Sequence, residues 1–313
     1  MARVRVVLVA AMMVSMPACA DDADGGPERP AHQPGDPATV AQLEGALAAT
    51  QAIVSARIEV QTAYRGMAVP GGGDGGPDDG PDDVRMVQRA AFDRRQLRAQ
   101  AETDMSELAA VVDASDEDVP GDYSTPTRLV IDGETVYAQL GPLADVVGLA
   151  PTAWVERDLA SFAAQPTDNE TAALLLRPLG LLELLRLPVE GVRVAGGDEV
   201  RGEPTTHLSI TVDLAPAGGT DRGPAAEGAD AIAARFRSLG LEQLPVDVWI
   251  GTDDQVVRRL QFAIDAEATG RASAGGLTTR VDVYDVDRPI EVTVPDPADV
   301  VDQAELRARA AGN

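Results

Sequence analysis

The sequence predicts an α+β domain built on a long antiparallel sheet that has one face in water. Three observations support this prediction. Apolar and polar residues alternate in several runs along the chain, turn signals separate these runs, and no linker long enough to divide the folded part lies between them. We expect the other face of the sheet to lie against helices and apolar loops.

The composition excludes several kinds of site. The chain has 51 Asp+Glu against 26 Lys+Arg, all of them arginine, and a formal net charge of −25. Without lysine, Schiff-base and P-loop chemistry are not available, and the single cysteine, Cys19, can form neither an internal disulfide nor a thiolate zinc site. The acidic balance disfavours nucleic acid as a partner. We expect no metal and no cofactor.

The N-terminus has the pattern of a secretory signal. Arg3 and Arg5 precede an apolar stretch, 6–14, which is shorter than the roughly 20 residues of a transmembrane helix. It runs into Met-Pro-Ala-Cys at 16–19, which resembles a bacterial lipobox. That resemblance implies cleavage after Ala18 and a diacylglyceryl thioether on Cys19, with further acylation of the palmitate kind. The alternative is an ordinary secretory signal with an incidental cysteine.

The mature chain is therefore expected to start with a tether. Residues 1–18 are the predicted signal peptide, and 19–36 are the lipidated cysteine and a linker rich in Pro, Gly and Asp that cannot bury enough surface to fold. Residues 37–313 are the predicted single folded domain. The predicted location is the outer face of the cell membrane, where lipid anchors the protein.

The folded part is predicted to begin with a helix and continue as strands. Asp36 can cap a helix that Pro37 opens, with apolar residues at helical spacing up to residue 54. Alternation with period two predicts strands at 54–64, 96–105, 246–250, 259–267 and 280–284. Asp132-Gly133 and 251–254 are turn signals between strands. The low-complexity stretch 71–83 is predicted to be a mobile hairpin tip, and its aspartates do not have the spacing of an EF-hand calcium loop.

Other segments depart from the strand pattern. Residues 169–187 are apolar almost all round, and Pro178 and Gly180 divide them into two short helical pieces. Such a segment must be covered on both sides or face an apolar cavity. The apolar loop at 140–151 either packs down or acts as a lid. Further helices are predicted at 225–239 and 296–309.

No constellation of side chains indicates catalysis. His207 falls on the polar face of the run 205–214, and the only other histidine, His32, lies in the linker, so we interpret His207 as a surface residue. The acidic clusters at 78–83 and 113–118 lie among turn-forming residues, where solvated loop charge is the expected role. Trp154 and Trp249 are expected to be packing residues. We predict that the protein is not an enzyme and has no catalytic residue.

Five short motifs, in order, carry a resemblance to a known family. They are the hairpin 128–137, the Trp-Val-Glu of 154–156, the stretch 197–207, the pair 246–250 and 257–259, and the closing 292–295. In this order the chain resembles actinobacterial lipoproteins of the LppX/LprG type, whose fold is like that of the lipoprotein carriers LolA and LolB. The resemblance implies a half-barrel with helices and apolar loops over its concave face. It also implies an apolar cavity, in which some members bind multi-acylated lipids or glycolipids.

We therefore predict a membrane-tethered, monomeric lipoprotein that binds or carries an acylated lipid or glycolipid. Only 3% of the residues are aromatic, so the cavity walls would be aliphatic, which suits acyl chains. The predicted lining consists of Ile58, Val60, Leu97, Leu140, Val147, Leu149, Leu175, Leu176, Leu181, Leu182, Leu185, Leu260 and Phe262. The alternative is a non-enzymatic scaffold or sensor of the cell envelope, in which the same face is filled core and binds no lipid.

Overall fold

A computed structural model describes residues 36–65, 83–107, 125–139, 141, 144, 148–163, 177–215, 224–265 and 276–301. The predicted signal peptide, Cys19, the linker up to residue 35 and nearly all of the low-complexity stretch lie outside these ranges. Where helices are described, none is both long and apolar enough to cross a membrane.

The described chain consists of twelve strands and few helices. The strands are β1 (Ser55–Arg65), β2 (Asp83–Asp93), β3 (Arg98–Asp104), β4 (Thr127–Asp132), β5 (Thr135–Gln139), β6 (Trp154–Asp158), β7 (Val189–Val200), β8 (Glu203–Asp213), β9 (Gln243–Gly251), β10 (Val257–Asp265), β11 (Gly276–Tyr284) and β12 (Val300–Val301). The α-helices are α1 (Pro37–Ala52), α2 (Leu159–Ala163) and α3 (Pro224–Ser238). Two 3-10 helices span Gly180–Arg186 and Pro297–Asp299.

All twelve strands belong to one sheet in the order β12-β6-β5-β4-β3-β2-β1-β11-β10-β9-β8-β7. Neighbours are antiparallel except β12, which pairs with β6 in parallel. The sheet does not close on itself, since β12 and β7 remain at its two edges. The prediction of an α+β fold on a long antiparallel sheet is confirmed, and the open sheet is consistent with a half-barrel.

Local sequence signals explain how the main elements begin and turn. The Asp36 carboxylate accepts a hydrogen bond from the backbone N–H of Thr39 at 3.2 Å, and Pro37 occupies the first turn of α1. Gly133 takes φ +63° in the two-residue loop between β4 and β5, as the Asp-Gly signal predicts. At the other end of α1, the Thr50 hydroxyl accepts from the backbone N–H of Val257 at 2.9 Å, which ties the helix to β10.

The prediction of a C-terminal helix at 296–309 is wrong for residues 296–301, the part of it that the structure describes. A single 3-10 turn is followed by β12, in which the β-branched Val300 and Val301 extend the sheet at β6. Between β11 and β12, residues 285–299 run from the middle of the sheet to this edge. They are held where the backbone N–H of Val54 donates to the Asp287 carboxylate and the N–H of Thr293 donates to the Gln100 side chain.

Of the segment at 169–187, the structure describes residues 177–187. Its second piece forms the 3-10 helix Gly180–Arg186, which buries Leu182, Leu184 and Leu185. The residues before 177 lie outside the described ranges. The predicted helix at 225–239 is confirmed as α3, which packs against this 3-10 helix.

Candidate functional site

The apolar face of the sheet, called here the interior face, is the surface on which a lipid site was predicted. It carries Ile58 and Val60 of β1 and Leu260 and Phe262 of β10, all at most 4% exposed. The alternating residues Glu59, Arg259 and Asp282 lie on the opposite, outer face. Period-two alternation thus places the predicted strand residues on the side that was expected.

One half of the interior face, on β8, β9 and β10, carries large side chains. Phe236 of α3 packs edge-on against Phe262 of β10, with ring centroids 5.5 Å apart. Helix α1 contacts β10 and β7, and Leu182 of the 3-10 helix joins the same core. The large buried residues of these strands are Leu208, Ile210, Val212, Leu244, Val246, Val248, Ile250, Leu260, Phe262 and Ile264. This half is filled by protein.

The other half of the interior face mixes alanines with larger side chains. Two rows of directly paired residues cross it: the first runs Ile58, Ala90, Ala101, Leu129, Ala138, Val155, and the second runs Ala56, Phe92, Ala99, Ile131, Val136. We call Ala90, Ala99, Ala101 and Ala138 the alanine strip. All four are buried. A methyl group fills far less volume than a leucine side chain, so the strip itself contributes little side-chain volume to the interior. Its four alanines are at most 8% exposed, which means that other parts of the chain cover them.

The first row leads to the loop predicted to be a lid. Val155 of β6 is fully buried, and it clusters with Ala144 and Leu149. Leu149, at 5% exposed, therefore contacts the far end of the alanine-lined half. Leu140 and Val147 of the same loop lie outside the described residues.

The predicted lining residues fall into separate groups. Ile58, Val60, Leu182, Leu185, Leu260 and Phe262 are buried in the main core, Leu181 packs on that core, and Leu149 lies beside Val155. Leu175 and Leu176 are outside the described residues. Leu97 is a correction: it is 63% exposed and lies in the turn between β2 and β3, because the strand begins only at Arg98. The alternation of 96–105 extended the predicted strand into the turn.

The outer face carries a row of charges that runs across six strands. Arg259, Asp282, Glu59, Arg89, Glu102 and Arg128 are paired in this order on β10, β11, β1, β2, β3 and β4. Signs alternate except where Asp282 and Glu59 are neighbours. Two like charges directly opposite each other would destabilise the sheet.

Arg201, from the turn between β7 and β8, neutralises this pair of acids. Its guanidinium donates to Glu59 Oε1 at 2.8 Å and to Asp282 Oδ2 at 3.1 Å, and it lies 4.0 Å from the ring centroid of Tyr284. Arg259 donates twice to Asp282, at 2.6 and 2.9 Å. Burial raises the pKa of Asp282, but the hydrogen bonds from Arg259 and Arg201 outweigh it and hold the pKa below its ordinary value.

A cavity of about 230 Å³ lies beside Arg201. Its walls carry charged groups, so it differs from the apolar cavity that the sequence predicts. The lining residues are Val200, Arg201, Glu203, Arg258, Val283, Tyr284, Asp285, Val286 and Arg288. Two arginines of the wall have carboxylate partners outside it: Arg201 pairs with Asp282, and Arg258 pairs with Asp254.

His207 lies on the outer face, as predicted. Its Nε2 is 2.9 Å from Asp247 Oδ1, and its ring stacks in parallel on Trp249 at 4.3 Å between centroids. The Trp249 indole N–H donates to Asp198, and Trp249 is 8% exposed, so it packs within the sheet surface. Across the described parts of the chain, no group of three or more His, Cys, Asp or Glu side chains is placed to hold a metal ion.

Comparisons with known proteins gave limited sequence similarity. No protein-family model matches the chain. A 31.2 kDa Streptomyces griseus protein of uncharacterized function, from the rplA–rplJ intergenic region, is 26% identical over 115 residues. The match covers 37% of this chain and spans only 35% of the length of that relative.

Solved structures resemble the chain over most of its length. The lipoprotein LppX of Mycobacterium tuberculosis has 14% identity and a TM-score of 0.44, covering 83% of this chain and 100% of its own. LprF of Mycobacterium bovis has 17% identity and a TM-score of 0.44, covering 84% of this chain and 98% of its own. The structures that the chain resembles thus include mycobacterial lipoproteins of the LppX/LprG type, to which its sequence motifs were likened.

Proposed function

We propose that the protein is a lipoprotein, tethered at the outer face of the cell membrane, that binds an acylated lipid on the interior face of its sheet. The observation that carries the proposal is the unequal size of the side chains on that face. Large residues fill the half formed by β8, β9 and β10, whereas the alanine strip lines the half formed by β2, β3 and β5.

The alanine-lined half has the chemistry that an acyl chain needs. Leu129, Ile131 and Phe92 border the strip, and Ile58 and Val60 separate it from the filled half. Burial of one methylene stabilises by roughly 0.8 kcal/mol, so a few chain segments give useful affinity without any catalytic group. The polar head of the ligand would lie at the Val155 end of the first row, beside Leu149 of the lid loop.

In this proposal the filled half of the interior face borders the site, and the bound chain does not lie over it. Leu182, Leu185, Leu260 and Phe262 already pack against each other and against α3. We therefore place the bound chain over the alanine strip. Leu181 and the 3-10 helix then lie between the bound chain and the filled half. Of the lining predicted from the sequence, Leu182, Leu185, Leu260 and Phe262 are thus proposed to be core residues that do not touch the ligand.

A second candidate function is a scaffold or sensor of the cell envelope that binds no lipid. It is favoured by one observation: the four alanines of the strip are themselves at most 8% exposed, so other parts of the protein already cover them. In this alternative the side chains that cover the alanine strip are permanent core, and no lipid displaces them.

Lipid content and a volume-adding substitution distinguish the two functions. Ala101→Leu adds volume at the centre of the strip, and Ala263→Leu adds the same volume at an exposed position on the outer face of β10. If the strip binds lipid, mass spectrometry of protein purified from its own membranes detects lipid with the wild type and with Ala263→Leu but not with Ala101→Leu. After extraction with organic solvent and refolding, which removes the lipid, all three are expected to unfold at similar urea concentrations. A wild type without lipid, together with a loss of roughly 1–3 kcal/mol in Ala101→Leu from overpacking, would contradict the carrier.

The tether is tested separately at Cys19. Replacement by alanine removes the thiol that the lipid would occupy, so Cys19→Ala is expected in the medium or as uncleaved precursor. Cell fractionation and the intact mass of the protein measure this. A variant that is processed normally and stays with the membrane would mean that the lipobox interpretation is wrong.

A further inference from the structure

The turn between β2 and β3 exposes a leucine within a group of arginines. We call Arg94, Arg95, Leu97 and Arg98 the basic tip. All four are exposed, and Leu97 has 63% of its surface in contact with solvent. Single exposed apolar residues are common, so the argument depends on the conformation of this leucine and on its charged neighbours.

The fold does not account for a leucine at position 97. Its φ is +53°, in the left-handed region that glycine and asparagine occupy more readily than leucine. Its backbone connects this turn to the next one: the carbonyl oxygen of Leu97 accepts from the N–H of Gly133, in the turn between β4 and β5, at 3.0 Å. Because any residue supplies that carbonyl, the leucine side chain adds an unfavourable conformation and exposed apolar surface.

The charges of the tip contrast with those of the whole chain. Three arginines lie within five positions of a protein whose net charge is −25. The Asp93 carboxylate is occupied by the backbone N–H groups of Arg95 and Gln96, and Arg98 pairs with Asp132 at 2.7 Å. Among the described residues, Arg94 donates to the backbone carbonyl of Gln51 at 2.7 Å and lies over the ring of Phe92, and neither of these partners carries a formal charge.

We propose that the basic tip docks on the surface of an anionic lipid bilayer. Leu97 enters the boundary between head groups and acyl chains, and Arg94 and Arg95 contact lipid phosphates. An apolar side chain flanked by cations is the arrangement that favours the interface of an anionic membrane. The inference rests on the proposed membrane location and adds an orientation of the folded domain on that membrane.

The predicted tether is long enough for the lipid on Cys19 and the basic tip to contact the same membrane at once. Helix α1 has 16 residues and is therefore about 24 Å long, and its C-terminal end lies near Arg94, which contacts Gln51. The tether joins the other end of α1. The linker between Cys19 and Pro37 can span at most about 60 Å, more than twice the length of the helix.

A dye at position 97 tests the docking in the full-length, lipid-anchored protein. Once Cys19 carries lipid, Leu97→Cys supplies the single free thiol, which is labelled with an environment-sensitive dye. Val194→Cys is the matched control. Val194 is 58% exposed and lies on β7, at the edge of the sheet far from β2 and β3. In vesicles that contain phosphatidylglycerol, lipids with a nitroxide on the acyl chain are expected to quench the dye at 97 and not at 194. Equal quenching at both positions, or quenching at 97 that is the same in pure phosphatidylcholine, would overturn the proposal.

A second variant separates docking from anchoring and from folding. Leu97→Asn suits the left-handed backbone, so its thermal midpoint is expected to equal or exceed that of the wild type. In the unlipidated Cys19→Ala chain, it should reduce co-sedimentation with phosphatidylglycerol vesicles roughly tenfold, since a leucine is no longer buried in lipid. Unchanged sedimentation, or an effect of equal size in Val194→Asn, would overturn the docking site. The Cys19→Ala variant lacks the proposed lipid anchor, so its sedimentation with vesicles reports on docking alone. A failure of the anchor proposal is seen instead in the cell fractionation of Cys19→Ala.

Discussion

At the scale of single residues, Asp282 connects the charges of the outer face. It is 2% exposed and receives hydrogen bonds from Arg259 and Arg201, which come from β10 and from the turn after β7. Neither arginine is close to Asp282 in sequence, and only the sheet order brings the three together. The pair of acids that Asp282 forms with Glu59 is tolerated because Arg201 contacts both.

Asp282→Asn is expected to lower the free energy of unfolding by about 2–4 kcal/mol at neutral pH. The substitution leaves Arg259 without its carboxylate and leaves Arg201 with Glu59 alone. The cost is below that of a fully buried pair because Arg201 keeps this partner and is a third exposed. Urea unfolding measures the change. Asp265→Asn, which breaks the exposed pair with Arg65, is the control and should cost less than about 1 kcal/mol.

The same carboxyl predicts the direction of a pH effect. The pKa of Asp282 is lower in the folded protein than its unfolded value of about 3.9, so its contribution is present above that value and is lost as the pH falls through the folded-state pKa. The difference in stability between wild type and Asp282→Asn should therefore shrink below about pH 4. A difference that stays constant from pH 7 to pH 3 would contradict this role.

At the scale of elements, the 3-10 helix Gly180–Arg186 belongs to the filled half. Leu182, Leu184 and Leu185 are all at most 5% exposed, and the helix packs on α3. The sequence left open whether this apolar segment faces core or cavity. For the part that is described, the structure favours core.

Leu182→Trp is therefore expected to destabilise the protein by about 1–3 kcal/mol. A larger ring at a position that is 2% exposed must displace its neighbours. Thermal or urea unfolding measures the loss, and Val194→Trp at an exposed position is the control. Unchanged stability of Leu182→Trp would show that free volume exists beside the 3-10 helix, and would return this helix to the direct lining of the ligand site.

At the scale of the whole molecule, the two halves of one sheet differ in what fills them. Hydrogen bonding is continuous across both halves, and the strands of both halves alternate. One half carries leucine, isoleucine, valine and phenylalanine, whereas the other places the alanine strip among larger residues such as Phe92, Leu129 and Ile131. A bound acyl chain would complete the second half as an additional part of the core.

Removal of a bound lipid should lower the melting temperature of the whole domain. A ligand at about 100 times its Kd stabilises the folded state by about 2.7 kcal/mol, and each kcal/mol corresponds to roughly 2–4 °C for a chain of this size class. Protein purified from membranes is thus expected to melt several degrees higher than the same protein after extraction with organic solvent and refolding. Equal melting temperatures, with lipid shown to be present before extraction, would contradict a ligand that forms part of the core.

Much of the candidate site could be predicted from alternation in the sequence, and some could not. Ile58, Val60, Leu260 and Phe262 were placed on the interior face because every second residue of a strand points to the same side. Leu97 was misplaced because the alternation continues into a turn in which the backbone changes direction. The alanine strip was missed as a unit, since its residues belong to three strands and alanine carries little signal in any one of them.

The sequence by itself determined many of the strands, the cap of α1, the hairpin turns and the secretory signal pattern, because each depends on residues close together in the chain. The tertiary structure alone decided which strands are neighbours, that Arg201 reaches Asp282 and Glu59, and that β12 joins the edge at β6. It also decided which half of the interior face is filled. Those features arise from the packing of residues far apart in sequence, and packing depends on the volumes that meet across the sheet rather than on the pattern within one strand.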